Sequence, residues 1–234
     1  MSAHSALKAL GPIKIKTIAD TVFEELHQQI LSLELPPGTK VSEIEVAKAL
    51  GVSRQPVRDA FFRLSQLGFL LIRPQRATVI TKISEKAVLQ AKFVRIALET
   101  ACWSAAMEVI TGSQLEELEA LLDEQKAAAL ASDQKLFHAL DDDLHRQICC
   151  IAGHEYVWNL IREQKSHMDR VRFISLTTGA AERAYNEHVV LIDALRERDK
   201  VQLEAGLSGH LGRIGQVLAQ IRAEKPQYFQ EKSA

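Results

Sequence analysis

The sequence predicts a mainly α-helical protein: an N-terminal winged helix-turn-helix with a small β-hairpin wing, followed by an all-α helical bundle. Three observations carry this reading. Residues 43–70 read EIEVAKALGVSRQPVRDAFFRLSQLGFL, two short apolar-periodic segments around a glycine. Two β-rich runs follow at once, on either side of Pro74-Gln75-Arg76. From Ser84 onward, apolar residues recur at helical spacing throughout.

Each element follows in order. Residues 1–16 are small, apolar and basic without a period, which predicts a flexible arm. Val22, Leu26, Ile30 and Leu33 recur at helical spacing between Thr17 and Leu33, and Leu35-Pro36-Pro37-Gly38 ends that helix. Val46, Ala47 and Leu50 form one stripe on the first motif helix, and Gly51 stands where a tight, left-handed turn is needed. Ser53 is placed to cap the second helix, and Pro56 falls in its first turn, where a missing N–H costs nothing. Val57, Ala60, Phe61 and Leu64 make its buried face, which leaves Arg54 and Arg58 together on the outward one. Phe69–Ile72 and Thr78–Ile83 then read as wing strands, with Arg73 and Arg76 at the tip. This first domain should span 17–83 and the bundle 84–234. Bundle helices are expected at Val88–Val109, 113–131, 133–152, 154–175, 180–197 and 200–224. Gly112, Gly153, Gly179 and the Glu197–Lys200 charge cluster separate them, and Asp199 with Gln202 forms a capping box for the last.

Composition bounds the function. With 234 residues, 47% hydrophobic and 25% charged, the chain has room for two ordinary domains. No apolar run approaches the roughly 20 residues of a membrane helix, and no secretory h-region is present, so a cytoplasmic protein without a membrane partner is expected. Cys102, Cys149 and Cys150 form neither a metal-type CxxC pattern nor a disulfide framework, and are read as small buried hydrophobes in a reducing compartment. The net charge of −1 conceals an asymmetry. Residues 1–82 hold eleven Lys/Arg against seven Asp/Glu, and the remainder eighteen against twenty-three. Only the first part suits phosphate. In a helix-turn-helix the start of the second helix meets base edges in the major groove, where arginine offers guanine a bidentate fork. A double-stranded DNA operator is therefore the expected partner.

The second part holds a metal-type constellation. Asp141 and His145, in DDDLH, are four apart and share a helix face. His188 and His210 would stand about 33 Å apart on one straight helix, but the break near Glu197–Lys200 folds the chain back and can bring them together. Three imidazoles and one carboxylate suit a divalent transition metal, Zn²⁺ first and also Ni²⁺, Fe²⁺ or Mn²⁺. From spacing alone the plain alternative, an i,i+4 hydrogen bond on a solvated face, stays open. His138 reads as a surface residue or a support for such a site, and His154 as a helix cap. His4, His27 and His167 have no partner spacing. A metal-dependent hydrolase or lyase with an ancillary nucleic-acid module is the competing reading. It lacks a general base at suitable spacing, since Asp142 and Asp143 leave the Asp141–His145 face, and it lacks a nucleophile motif or phosphate loop.

The stretch KVSEIEVAKALGVSRQPVRDAFFRLSQLGFL resembles the winged-helix signature of the GntR family of bacterial transcription regulators. FVRIALETACWSAA and DDDLHRQICCIAGHEYVWNLI resemble the first helix and central helix pair of its FadR-type (FCD) ligand-binding domain. The resemblance implies base contacts by Arg54 and Arg58, backbone or base contacts by Ser53 and Gln55, and a DNA-contacting wing at Arg76. It also implies metal ligation by Asp141, His145, His188 and His210. Arg95, with Arg172 as a second candidate, would grip the carboxylate of a small organic-acid effector, although Arg95 has Glu99 four residues on as an ordinary ion-pair partner. A homodimeric repressor released by its effector is the implied mode. Trp103 and Trp158 are read as core or dimer-contact residues. Three positions depart from the family pattern: Ala77 where the wing has glycine, Ile44 where some members have a basic residue, and Leu144 where phenylalanine is frequent.

Overall fold

The computed structural model describes residues 16–73, 75–175 and 178–231. The expected arm lies outside the described residues except for Lys16, and so does Pro74 of the wing turn. Helix α1 (Ile18–Leu31) opens on a full capping box between Thr17 and Asp20. Helices α2 (Glu43–Leu50) and α3 (Arg54–Gln66) are joined through Gly51, whose φ of 65° is the left-handed conformation expected of it. Val57, Ala60, Phe61 and Leu64 are all buried, packed with Val22, Leu26 and Ile30 of α1. Ser53 does sit at the N-cap of α3, but its side chain makes no capping bond.

The wing is shorter than its β-rich sequence suggests. Strands β2 (Leu70–Leu71) and β3 (Thr78–Ile80) pair antiparallel, and a further strand, β1 (Lys40–Val41), adds to the far side of β3 in the order β1-β3-β2. β1 escaped sequence analysis because two residues carry no period. The wing turn solves the absence of a glycine at position 77 differently: Gln75 takes the left-handed conformation, with φ 57°.

Six helices complete the described chain: α4 (Glu85–Val109), α5 (Gly112–Leu130), α6 (Gln134–Ile151), α7 (Glu155–Ser175), α8 (Thr178–Glu197) and α9 (Lys200–Glu224). Each begins within three residues of its expected start. Gly112 and Gly179 lie inside helices near their N-termini rather than between them. Asp199 caps α9 by accepting from the Gln202 N–H at 2.9 Å. Trp103 and Trp158 are buried in the bundle core, as are Cys102 and Cys149. A 3-10 turn at Pro226–Tyr228 then returns the chain to the junction between wing and bundle. There Ile83 donates to the Tyr228 carbonyl at 2.8 Å and accepts from Gln230 at 2.9 Å.

The winged helix is docked on α7 through rings and one guanidinium. Phe69 stacks on His167 with centroids 4.6 Å apart, and His27 meets Phe69 edge-on at 5.0 Å. His167 Nε2 lies 2.8 Å from the Leu67 carbonyl, and Arg170 Nη1 donates to the Thr81 carbonyl at 2.7 Å. His167 showed no partner in the sequence because Phe69 and Leu67 belong to the other domain, while His27 packs against Phe23 and Phe69 of its own. His27 Nε2 is buried without a hydrogen bond. Burial first, offset in part by Asp169 and deepened by Lys165, Arg162 and His167, lowers its pKa from 6.5 to about 4. The unfolded chain therefore takes up this proton first as pH falls, so stability is present above about pH 6.5 and lost on the way down to pH 4. Between pH 7 and pH 5, urea unfolding should reveal a loss of about 2 kcal/mol assignable to His27. His27→Phe should flatten that part of the pH dependence, and an unchanged slope would contradict the assignment.

Candidate metal centre and nucleic-acid interface

The four residues singled out by spacing meet inside the bundle. Asp141 and His145 come from α6, His188 from α8 and His210 from α9, and one donor atom of each lies within 4.8 Å of all the others. The turn at 198–199 performs the fold-back, so α8 and α9 lie side by side. Asp141, His145 and His188 are completely buried, which removes the solvated-face alternative.

The imidazoles are aimed by residues that spacing did not reveal. His145 Nδ1 lies 2.6 Å from Glu99 Oε2, a close approach off the ring's N–H axis. His188 Nδ1 meets Gln125 Oε1 at 2.8 Å, and His210 Nδ1 meets Glu187 Oε2 at 2.9 Å. Gln125 Nε2 donates to the Leu140 carbonyl, which turns its Oε1 toward His188. Each partner atom is an acceptor, so each Nδ1 carries the proton and each Nε2 presents a lone pair. Those Nε2 atoms face one another: His188 to His210 at 3.2 Å, and His210 to His145 at 3.3 Å. In that tautomer three lone pairs converge. A tetrahedral centre with M–N of about 2.0–2.1 Å sets its ligand atoms about 3.3–3.4 Å apart, so the donor set fits a transition metal in both chemistry and spacing.

Burial and neighbouring charges act on the acids and two of the imidazoles of the cluster. Burial opposes the charge on Asp141, but Arg172, followed by His188 and His145, holds its carboxyl well below the usual range. Burial and then His210 push His188 far below an ordinary imidazole, and burial and then His145 bring His210 to about 3. Burial likewise opposes charge on Glu99, while Arg95 and His145 lower it to about 2.

Arg95 and Arg172 both reach this centre. Arg95 does pair with Glu99 across one turn of α4, and both are buried. Its Nη2 nevertheless has no hydrogen-bond partner. Arg172, the second candidate, donates to Asp141 Oδ2 at 2.6 Å; its Nη1 makes no hydrogen bond but lies 3.7 and 3.8 Å from Asp169 and Asp142, and Asp141 Oδ1 makes no hydrogen bond. Both arginines line a cavity of about 350 Å³ that opens onto His210 and Glu187. His138 is buried and stacked on Phe173 at 4.6 Å, neither a ligand nor a surface residue.

On the winged helix, Arg54 and Arg58 project from the first turns of α3, each more than half exposed. Both are held by Glu43 at the start of α2, at 3.4 and 3.3 Å. Gln55 donates to Asp59 at 2.9 Å. Arg73 and Arg76 are exposed beside Lys40 on the wing. Ile44 is exposed on α2, an apolar residue where a cation would have faced outward.

Comparison with known proteins decides the family. Residues 18–80 match the model of the bacterial regulatory proteins, gntR family, and residues 92–213 match the FCD domain. The chain belongs to the GntR family. Among GntR relatives it is 35% identical over 233 residues to the HTH-type transcriptional repressor RspR of Escherichia coli (strain K12), covering 99% of this chain and all of that one. It is 25% identical to the HTH-type transcriptional repressor NanR of Cronobacter sakazakii, covering 88% of each. Its fold is shared with E. coli McbR/YncC, with a TM-score of 0.77 at 20% identity over 88% of this chain and 99% of that one. GntR proteins are transcription regulators that act on DNA rather than enzymes, which sets aside the hydrolase or lyase reading. Among the described residues no helix is long and apolar enough to cross a membrane.

Glu99 is the residue on which Arg95 and the His145 ring converge. Glu99→Ala, studied in chelator-treated protein, leaves Arg95 buried and unpaired and should cost about 3–5 kcal/mol in denaturant unfolding. A loss below about 1 kcal/mol, the scale of an exposed pair, would contradict that role.

Proposed function

We propose that this GntR regulator is a homodimeric repressor whose operator affinity is set by a small organic acid bound at a metal in the FCD domain. The observation that carries the reading is the convergence of three histidine Nε2 atoms and Asp141 Oδ1 inside the bundle. Asp141, His145, His188 and His210 would hold a divalent transition metal, Zn²⁺ first and also Ni²⁺, Fe²⁺ or Mn²⁺. Bound there, the metal supplies a Lewis-acidic position for a carboxylate oxygen. The unbonded Nη2 of Arg95 and Nη1 of Arg172 supply donors for the same carboxylate. Arg54 and Arg58 would read bases, with Ser53 and Gln55 at backbone or base and Arg73 and Arg76 at the wing. Glu43 must release both recognition arginines when DNA arrives. Leu89 and Phe93 are exposed four residues apart on α4 and offer an apolar face for a second copy.

Helix α7 supplies a route between the sites. Arg172 touches Asp141, while Arg170 and His167, within about 8 Å along the same helix axis, hold Thr81 and Leu67 of the winged helix. An acid that draws Arg172 from Asp141 acts on the helix that positions the DNA-binding domain. Such a ligand shifts operator affinity only by its differential affinity for the two arrangements.

Natively purified protein should contain about one transition metal per chain, lost in His188→Ala. Metal absent from both proteins would overturn the metal site. In a binding assay on a genomic operator fragment, Arg58→Ala should cost about 1–3 kcal/mol of specific affinity with the bundle still folded. Unaltered affinity would remove Arg58 from the base contacts.

A further inference from the structure

The cavity beside the histidine cluster continues past it. His210, Arg213, Val217, Gln220 and Glu224 of α9 all line it, so it runs about 21 Å along that helix. Its wall carries four guanidinium groups, those of Arg95, Arg172, Arg183 and Arg213. Two are committed, Arg95 to Glu99 and Arg172 to Asp141. The other two stand one step outward. Arg213 pairs with Glu187, but Glu187 is shared with His210, and the buried Nε of Arg213 has no partner. Arg183 lies one helical turn before Glu187 and makes no ion pair or hydrogen bond among the described residues. The two groups repel each other, and burial followed by Arg183 lowers the Arg213 pKa. Arg183 is exposed and Arg213 half-buried on the same cavity. Of the two glutamates that line it, Glu187 pairs with Arg213 and Glu224 with neither arginine, which leaves the Arg183 charge unpaired.

We propose that Arg183 and Arg213 form a second anion-holding end of this cavity, so that its ligand is an organic acid carrying two anionic groups. The first carboxylate belongs at the metal, Arg95 and Arg172, and this part rests on the function proposed above. The second group meets Arg183 and Arg213. Along the helix axes Arg213 is three residues from His210 and Arg183 five from His188, an offset of about 5–8 Å. A four- or five-carbon dicarboxylate spans that offset, and so does a short phosphorylated acid. Arginine grips either head group through paired N–H donors.

The test is calorimetric titration of zinc-loaded full-length protein with succinate, butyrate and phosphoglycolate. Succinate should bind about tenfold tighter than butyrate, the worth of one charge-assisted contact. Phosphoglycolate above succinate would assign the outer group to phosphate, and the reverse order to carboxylate. Arg183→Gln breaks no ion pair, so it should fold normally, lose the preference for succinate and keep the butyrate affinity. Arg213→Gln should act in the same direction. Equal affinities for succinate and butyrate in the wild type, or a preference that survives both substitutions, would overturn the second anion site while leaving the effector reading intact. Failure of every acid to bind would overturn both.

Discussion

Orientation of three imidazole rings is the constraint on which this molecule is arranged. Glu99, Gln125 and Glu187 come from α4, α5 and α8, and each holds a different histidine by its Nδ1. Burying so many polar groups in a helical bundle is costly unless every one is partnered. Here each Nδ1 faces an acceptor from another helix, while the Nε2 atoms face only one another. That asymmetry distinguishes a site built to receive something from a polar network that merely fills a core. It also explains why α4 carries Arg95 and Glu99 on its buried face, where an ordinary amphipathic helix would carry leucines.

Helix α7 joins this centre to the winged helix with unusual economy. Its inner face contributes Arg172 to Asp141, and its turn toward the DNA-binding domain contributes His167 and Arg170. The docking surface is aromatic and cationic rather than aliphatic, with Arg170 over the Phe69 ring. Stacked rings tolerate sliding better than interlocked branched side chains do, while the two carbonyl contacts keep the register.

Much of this was legible in the sequence, for physical reasons that differ by element. The long helices were readable because period and caps agree, as at Thr17 and Asp199. Arg54 and Arg58 were readable because the motif fixes them locally. The four histidine-cluster residues were readable only in part: Asp141 and His145 by helical spacing, His188 and His210 by assuming the fold-back. Glu99 was visible as a partner of Arg95, but its second contact, to His145, crosses between helices. Gln125 carried no signal at all beyond being a polar residue before Lys126 and three alanines. His167 was silent because a docking contact between domains has no period along the sequence. Strand β1 was silent because two residues are too few to show alternation.

The return of the chain to Ile83 has a practical side. Backbone bonds from Tyr228 and Gln230 turn the wing-to-bundle junction into a small knot of parallel chain. The segment that leaves the winged helix is thus tethered to residues more than 140 positions later. Anything fused after residue 231 begins its path at this junction, beside Ile83 and Phe229. Affinity tags and fluorescent reporters placed there load the joint itself.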